Sequence, residues 1–257
     1  MSISRSLTGF VALSTIRLSV GTGPVDGGST LRGARGRPNP TSRASTASLI
    51  ADRLREAIAS GDLRPGGQVA EAELARDLGV SRGPLREGMQ RLTQEGLLIA
   101  YRNRGLFVIE MSGENVRDMY LARAAVERAA AREIFRRDPV EAGVALGRVI
   151  ARMDAIAGRG RIAAVSRADI EFHATLVALA GSDRLSRMHR TLLTETRMCL
   201  HALEATYDGH GTRVKEHRDV AEAFGKVDAA LTDQLILAHM EDAVRRLTTE
   251  AGPIEDV

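Results

Sequence analysis

The sequence predicts a mainly α-helical protein in two parts: a small helical domain that carries one β-hairpin, then an all-α bundle. Three observations lead there. Residues 69–96 read as two short helices joined by a tight turn, with apolar residues at helical spacing. Short apolar runs flank Arg102-Asn103-Arg104-Gly105 and read as a hairpin. Beyond Met111 the remaining segments keep a helical period, broken only by short Gly-, Pro- or Asp-containing stretches.

Composition sets the bounds. At 257 residues and 44% hydrophobic content, the chain can build two cores. One cysteine, Cys199, excludes an internal disulfide framework and fits a reducing, cytoplasmic setting. No run approaches the ~20 apolar residues that span a bilayer, so no membrane partner is expected. The net charge of +3 is a poor guide to nucleic-acid binding, because residues 48–111 balance nine basic against nine acidic side chains. Placement matters more. Residues 81–104 hold five arginines against Glu87 and Glu95.

Residues 1–45 are rich in Ser, Thr, Gly and Arg, and are expected to be a disordered basic tail. Arg17 breaks the apolar run FVALSTIRLSV, which argues against a signal peptide. Non-specific DNA affinity is the functional alternative for this tail. The first ordered helix is expected from Thr46 to Ser60, with Leu49, Ile50, Leu54, Ala57 and Ile58 inward and Arg53 and Arg55 on a solvated face.

Glu71–Leu78 forms the next helix, with Leu74, Ala75 and Leu78 on its apolar side, and Gly79 ends it in the left-handed conformation a C-terminal cap needs. Ser81 is the expected N-cap of a second helix, with Pro84 in its first turn, where a missing N–H costs least. That helix runs to about Glu95 and buries Leu85, Met89 and Leu92. Arg82, Arg86 and Gln90, four apart, stack on its opposite face. A guanidinium row at the start of the second helix suits entry into a major groove. Leu97–Tyr101 and Leu106–Glu110 then pair as a hairpin with glycine at its tip, placing Arg102 and Arg104 against phosphates or a minor groove. Helix-turn-helix plus hairpin is a winged helix-turn-helix domain, residues 46–111.

This stretch resembles the DNA-binding domain of the GntR family of bacterial transcription regulators. The likeness covers some 60 residues and rests on G-x-L-x-P-G at Gly61–Gly66, on LGVSR-x-P-x-RE at Leu78–Glu87 and on Asn103-Arg104-Gly105 in the wing. It implies that Ser81, Arg82, Gly83 and Arg86 in the motif, with Arg102, Asn103, Arg104 and Gly105 in the wing, meet double-stranded DNA. It also implies a homodimer reading a pseudo-palindromic operator, its recognition helices one turn of DNA apart. Gly83 stands where many members have Thr, and Ala72 where some have an arginine on DNA, departures that bear on which operator is read.

Residues 112–250 are expected to form an all-α bundle, followed by a tail at 251–257. Six helices are read: Glu114–Arg137, Val140–Ala157, Arg161–Ala180, Arg184–Thr206, Arg213–Gly225 and Ala229–Glu250. Polar residues interrupt their apolar stripes. Arg123 lies among Val116, Met119, Val126, Ala130 and Ile134, and a buried guanidinium needs a carboxylate from the protein or a ligand. Asp169 and His173 break the stripe of Ile162, Val165, Phe172, Leu176 and Ala180. His217 falls between Val214 and Ala221, and His239 among Leu235, Ile236 and Ala243. Singly, each histidine reads as a hydrogen-bonded core residue. Together, one carboxylate and three imidazoles on inward faces make a set that can bind a divalent transition metal.

RAAVE at Arg123–Glu127, DIEFH at Asp169–His173, the run LVALAGSDRLSRMHRTL, then His217 and His239 resemble the C-terminal FCD domain of the FadR subgroup of that family. The resemblance implies a metal, zinc or nickel, on Asp169, His173, His217 and His239. It further implies a small carboxylate effector that coordinates the metal and meets Arg123. His189, His201 and His210 are read as structural or exposed, and Cys199 as core filling. The function expected is a DNA-binding regulator whose operator affinity a small organic acid controls. A regulator that senses metal with no organic effector is the alternative. A metal-dependent hydrolase is disfavoured, since no general base is evident beside the ligands and no catalytic residues are assigned.

Overall fold

The computed structural model describes residues 45–158, 162–203 and 210–250. The expected tails, residues 1–44 and 251–257, lie outside the described residues, and so do the expected helix start at Arg161 and helix end at Thr206.

Helix α1 (Thr46–Ala59) starts at Ser45, whose side chain accepts from the Ser48 N–H. Its inward face is Ala47, Ile50, Ala51, Leu54, Ile58 and Ala59. Leu49, expected inward, is 47% exposed, because the alanines at 47 and 51 take the face that packs on the helix carrying Gly88. Arg55 is not solvated either. It donates to Glu95 from Nε (2.7 Å) and pairs with Asp52, fastening α1 to the end of the next-but-one helix.

Strand β1 (Gln68–Val69) precedes helices α2 (Glu71–Leu78) and α3 (Arg82–Gln94). Gly79 has φ 63°, the left-handed cap the turn requires, and Leu74 and Ala75 are buried above it. Ser81 holds the N-cap position of α3, yet its side chain makes no capping hydrogen bond. Leu85, Gly88, Met89 and Leu92 form the buried face of α3. Gly88 is needed there, since a Cβ would sit 2.9 Å from Cγ2 of Ile50 on α1.

Strands β2 (Leu98–Tyr101) and β3 (Gly105–Val108) pair antiparallel, with Tyr101 opposite Gly105. The left-handed residue at the hairpin tip is Asn103 (φ 62°), and Gly105 (φ 98°) opens β3 instead of lying at the tip. Asparagine tolerates that region through its short polar side chain. The short β1 pairs with β3 to complete a three-stranded sheet in the order β1-β3-β2, an element with no sequence signal beforehand.

The second core is helical: α4 (Gly113–Phe135), α5 (Pro139–Ala157), α6 (Ile162–Leu179), α7 (Asp183–Leu203), α8 (His210–Gly225) and α9 (Ala229–Glu250). Helix α4 packs on α9, α6 and α7, and α5 on α6 and α8. Val116, Met119, Val126, Ala130 and Ile134 of α4 are all buried in it, as are Val165, Phe172, Leu176 and Ala180 along α6. Helix α7 serves both cores: Cys199 belongs to the bundle, whereas Met198 is buried among winged-helix residues. None of the described helices is long and apolar enough to cross a membrane.

Candidate metal centre and DNA-binding face

Helix α6 places Asp169 and His173 one turn apart on one face, while α8 brings His217 and α9 brings His239 to the same point. Asp169, His173 and His217 are at most 4% exposed, and His239 is 9% exposed. One ligand atom from each lies within 4.8 Å of the others. All four residues singled out in the sequence therefore meet.

Proton placement decides what this cluster can bind. His173 Nδ1 lies 2.8 Å from Glu127 Oε2, His217 Nδ1 lies 2.6 Å from the Arg213 carbonyl, and His239 Nδ1 lies 2.8 Å from Glu216 Oε2. A carbonyl and ionised carboxylates only accept, so each ring donates from Nδ1. Burial keeps all three rings neutral: it pushes His173 and His217 down to about 4, and lowers His239 as well. Each Nε2 is then an unprotonated lone pair. His173 Nε2 faces His217 Nε2 at 3.0 Å and His239 Nε2 at 3.2 Å. With no proton between them, these contacts are not hydrogen bonds but convergent donors.

Asp169 completes the set, its Oδ1 3.4 Å from His217 Nε2. Burial alone would raise its carboxyl, but the positive charges of Arg213 and Arg123 oppose that, and the group is held well below the usual carboxylate range. Nitrogens bound to zinc at about 2.0–2.1 Å sit about 3.3 Å apart in a tetrahedron, close to the spacing found here. Three neutral imidazoles, one carboxylate and outer acceptors on every Nδ1 fit a divalent transition metal. The cavity beside them, lined by Phe172, Leu176, Val220, Ile236 and Met240 among others, measures about 10 Å³.

Arg123 is 1% exposed, beside this cluster. Its Nε donates to Glu127 Oε1 (2.7 Å) and its Nη1 to Thr196 Oγ1 (3.2 Å), and it lies 5.2 Å over the Tyr120 ring. Its Nη2 is buried with no hydrogen-bond partner, a polar atom still to be satisfied.

Sequence reasoning placed none of Glu127, His189, Thr196 and Glu216 at this site. Glu127 carried a signal, four residues after Arg123 on the same helical face. His189, read as structural or exposed, is structural: it is buried, with Nε2 2.9 Å from Glu127 Oε1. The hydroxyl of Thr196 and the carboxylate of Glu216 are brought in by packing, with no periodicity to mark them. Cys199 is buried core filling, and burial with nearby Glu195 pushes its thiol up to about 12. The side chain of His210 lies outside the described residues.

On the other domain, Ser81, Arg82, Gly83 and Arg86 of the motif and Arg102, Asn103, Arg104 and Gly105 of the wing are all exposed. Arg86 Nε donates to both oxygens of Glu71, at 2.8 and 3.0 Å, which aims the guanidinium from the start of α2. Arg104 lies 5.7 and 5.4 Å from the ring centroids of Tyr101 and Phe107, so the wing holds its arginine by cation–π contact.

Comparison with known proteins places both halves. Residues 46–108 match the family of bacterial regulatory proteins called gntR, and residues 118–242 match the FCD domain. An uncharacterized HTH-type transcriptional regulator in the TAR-I ttuE-ttuC' intergenic region of Agrobacterium vitis is 36% identical over 143 residues, covering 54% of this chain and 84% of that protein. The Nta operon transcriptional regulator of Aminobacter aminovorans is 35% identical over 136 residues, covering 52% of this chain and 63% of its own length. Among solved structures, a transcriptional regulator GntR from Rhodococcus sp. RHA1 superposes with a TM-score of 0.66 at 27% identity, covering 79% of this chain and 98% of that one.

Proposed function

This chain belongs to the GntR family of DNA-binding transcription regulators, with an FCD domain behind its winged helix, and from that premise we propose that metal and a small organic acid together set its operator affinity. It is a regulator and not an enzyme, which leaves the hydrolase reading without support. The carrying observation is that His217 Nε2 and His239 Nε2 converge on His173 Nε2, at 3.0 and 3.2 Å, beside Asp169.

In this reading Asp169, His173, His217 and His239 hold zinc or nickel. When bound there, the ion would supply a Lewis acid for a carboxylate. Arg123 offers the second anchor through the unpartnered Nη2. A cavity of about 10 Å³ has room for a water molecule and not for an organic acid, so the effector enters only as the helices part. That requirement supplies the differential binding that allostery needs. A homodimer would set two α3 helices into successive major grooves, with Arg82 and Arg86 toward bases or phosphates and the wing residues on the backbone.

The small cavity equally favours a second reading, in which the metal alone is the signal. One experiment separates them. Untagged protein and the His217→Ala variant are analysed for bound elements, and their binding to duplexes selected from a random pool is followed with metal and carboxylates. One equivalent of divalent metal, lost in the variant, with affinity changed only when carboxylate is added, supports the joint reading. An affinity change with metal alone supports metal sensing. No metal after incubation with zinc or nickel overturns both.

A further inference from the structure

We propose that Glu127 is the positioning residue of the metal site, fixing the tautomer of His173 and tying that ligand to Arg123 through one shared carboxylate. The inference rests on the metal reading above.

Glu127 is 1% exposed and receives three donors from three helices. Oε1 accepts from Arg123 Nε at 2.7 Å on its own helix and from His189 Nε2 at 2.9 Å on α7. Oε2 accepts from His173 Nδ1 at 2.8 Å on α6. Arg123 and Glu127 are both buried, and a buried guanidinium at 2.7 Å needs the carboxylate's negative charge beside it. With its charge retained, the carboxylate cannot donate, so His173 must keep its proton on Nδ1 and its lone pair on Nε2. A hydrogen-bonded carboxylate behind an imidazole also raises the basicity of the nitrogen that binds metal.

The same negative charge serves Arg123. Whatever engages Nη2 of Arg123 draws on the guanidinium that shares Oε1, and so alters how strongly Oε2 holds His173. Metal at Nε2 of His173 and an anion at Arg123 are thereby coupled through one residue, and the coupling must run equally in both directions.

Glu127→Gln tests this, because it keeps the shape and replaces one acceptor with an NH₂ donor. If the NH₂ lies toward His173, the ring must accept at Nδ1 and carry its proton on Nε2, which removes it as a ligand. If the NH₂ lies toward Oε1's place, it opposes two donors, Arg123 Nε–H and His189 Nε2–H. Zinc affinity is measured by competition with a chelating dye, with Asp169→Ala as the reference that lacks a ligand. The expected result is a loss of about 10–100-fold in Glu127→Gln. Equal affinity in the variant and in a parent that binds zinc overturns the role of Glu127 and leaves the metal reading standing. A second measurement needs no variant of Glu127. Ring ¹⁵N spectra of the metal-free parent, assigned through His173→Gln, should show the His173 proton on Nδ1. A proton on Nε2 overturns the proposal, whether or not the parent binds zinc and whether or not Glu127→Gln folds.

Discussion

Arg197 of α7 and Glu56 of α1 form a two-point ion pair, Nη1 to Oε2 and Nη2 to Oε1 each at 2.7 Å, and it bridges the bundle to the winged helix. The Glu56 side chain is 64% exposed, so the pair is worth less than its geometry suggests. The stronger fastening is the next residue. Met198 is 3% exposed within the winged-helix core, while Thr196, two residues earlier, holds Arg123 in the bundle.

Met198→Ala should therefore loosen α1 from α7 at a cost of about 2–5 kcal/mol. Glu56→Gln should cost less than about 1 kcal/mol. Hydrogen exchange along α1 with chemical denaturation checks both; equal effects would place the coupling in the ion pair instead.

Arg123 cannot be tested cleanly by removal. Alanine there leaves the Glu127 carboxylate buried without its guanidinium, a change that costs about 3–5 kcal/mol in comparable pairs. Arg123→Lys keeps a cation beside Glu127 but loses the forked donors. It should retain DNA binding in the absence of effector and lose the response to carboxylates in a titration of operator affinity. A full response in that variant would remove Arg123 from the effector site.

On the DNA face, Arg86→Ala should weaken operator binding about ten-fold or more, and lower the salt dependence of binding if the residue holds a phosphate. Glu71→Gln should give a smaller loss, because it removes the acceptor that aims Arg86 without removing the guanidinium. Fluorescence anisotropy at several salt concentrations separates the two effects. Unchanged affinity in Arg86→Ala would take this residue out of the interface.

Glu195 makes stability depend on pH. Burial, with nearby Asp118, raises its carboxyl from 4.5 to about 7. The folded state therefore holds the proton to higher pH than the unfolded state. Stability from this group is fully present below about 4.5, falls as pH rises toward 7 and is flat above it. Glu195→Gln should leave Tm unchanged at pH 4 and raise it at pH 8, by at most about 3 kcal/mol in free energy. A variant with the parent's pH slope would show that Glu195 is ionised in the fold.

Chelation should lower thermal stability wherever metal binds the folded chain alone. Zinc at 100 times its dissociation constant adds about 2.7 kcal/mol, so Tm should fall on chelation and recover on adding zinc back. His217→Ala should show neither shift. A Tm indifferent to chelator in zinc-loaded parent would contradict a folded-state site.

The sequence by itself determined the periodic features. Helix positions, the left-handed Gly79, the guanidinium row at Arg82 and Arg86, and the inward placement of Asp169, His173, His217 and His239 are each set by spacing within one helix or turn. Each of those signals is local, and local backbone geometry fixes it. Only the tertiary structure decided what spans segments. β1 is two residues long and exists because β3 offers it an edge. Arg55 left its solvated face because Glu95, forty residues away, comes within 2.7 Å. Leu49 turned outward because Ala47 and Ala51 fit the close approach of α1 to Gly88. Glu127 became the meeting point of Arg123, His173 and His189 because three helices cross there, and a hydrogen bond between helices leaves no period in the chain.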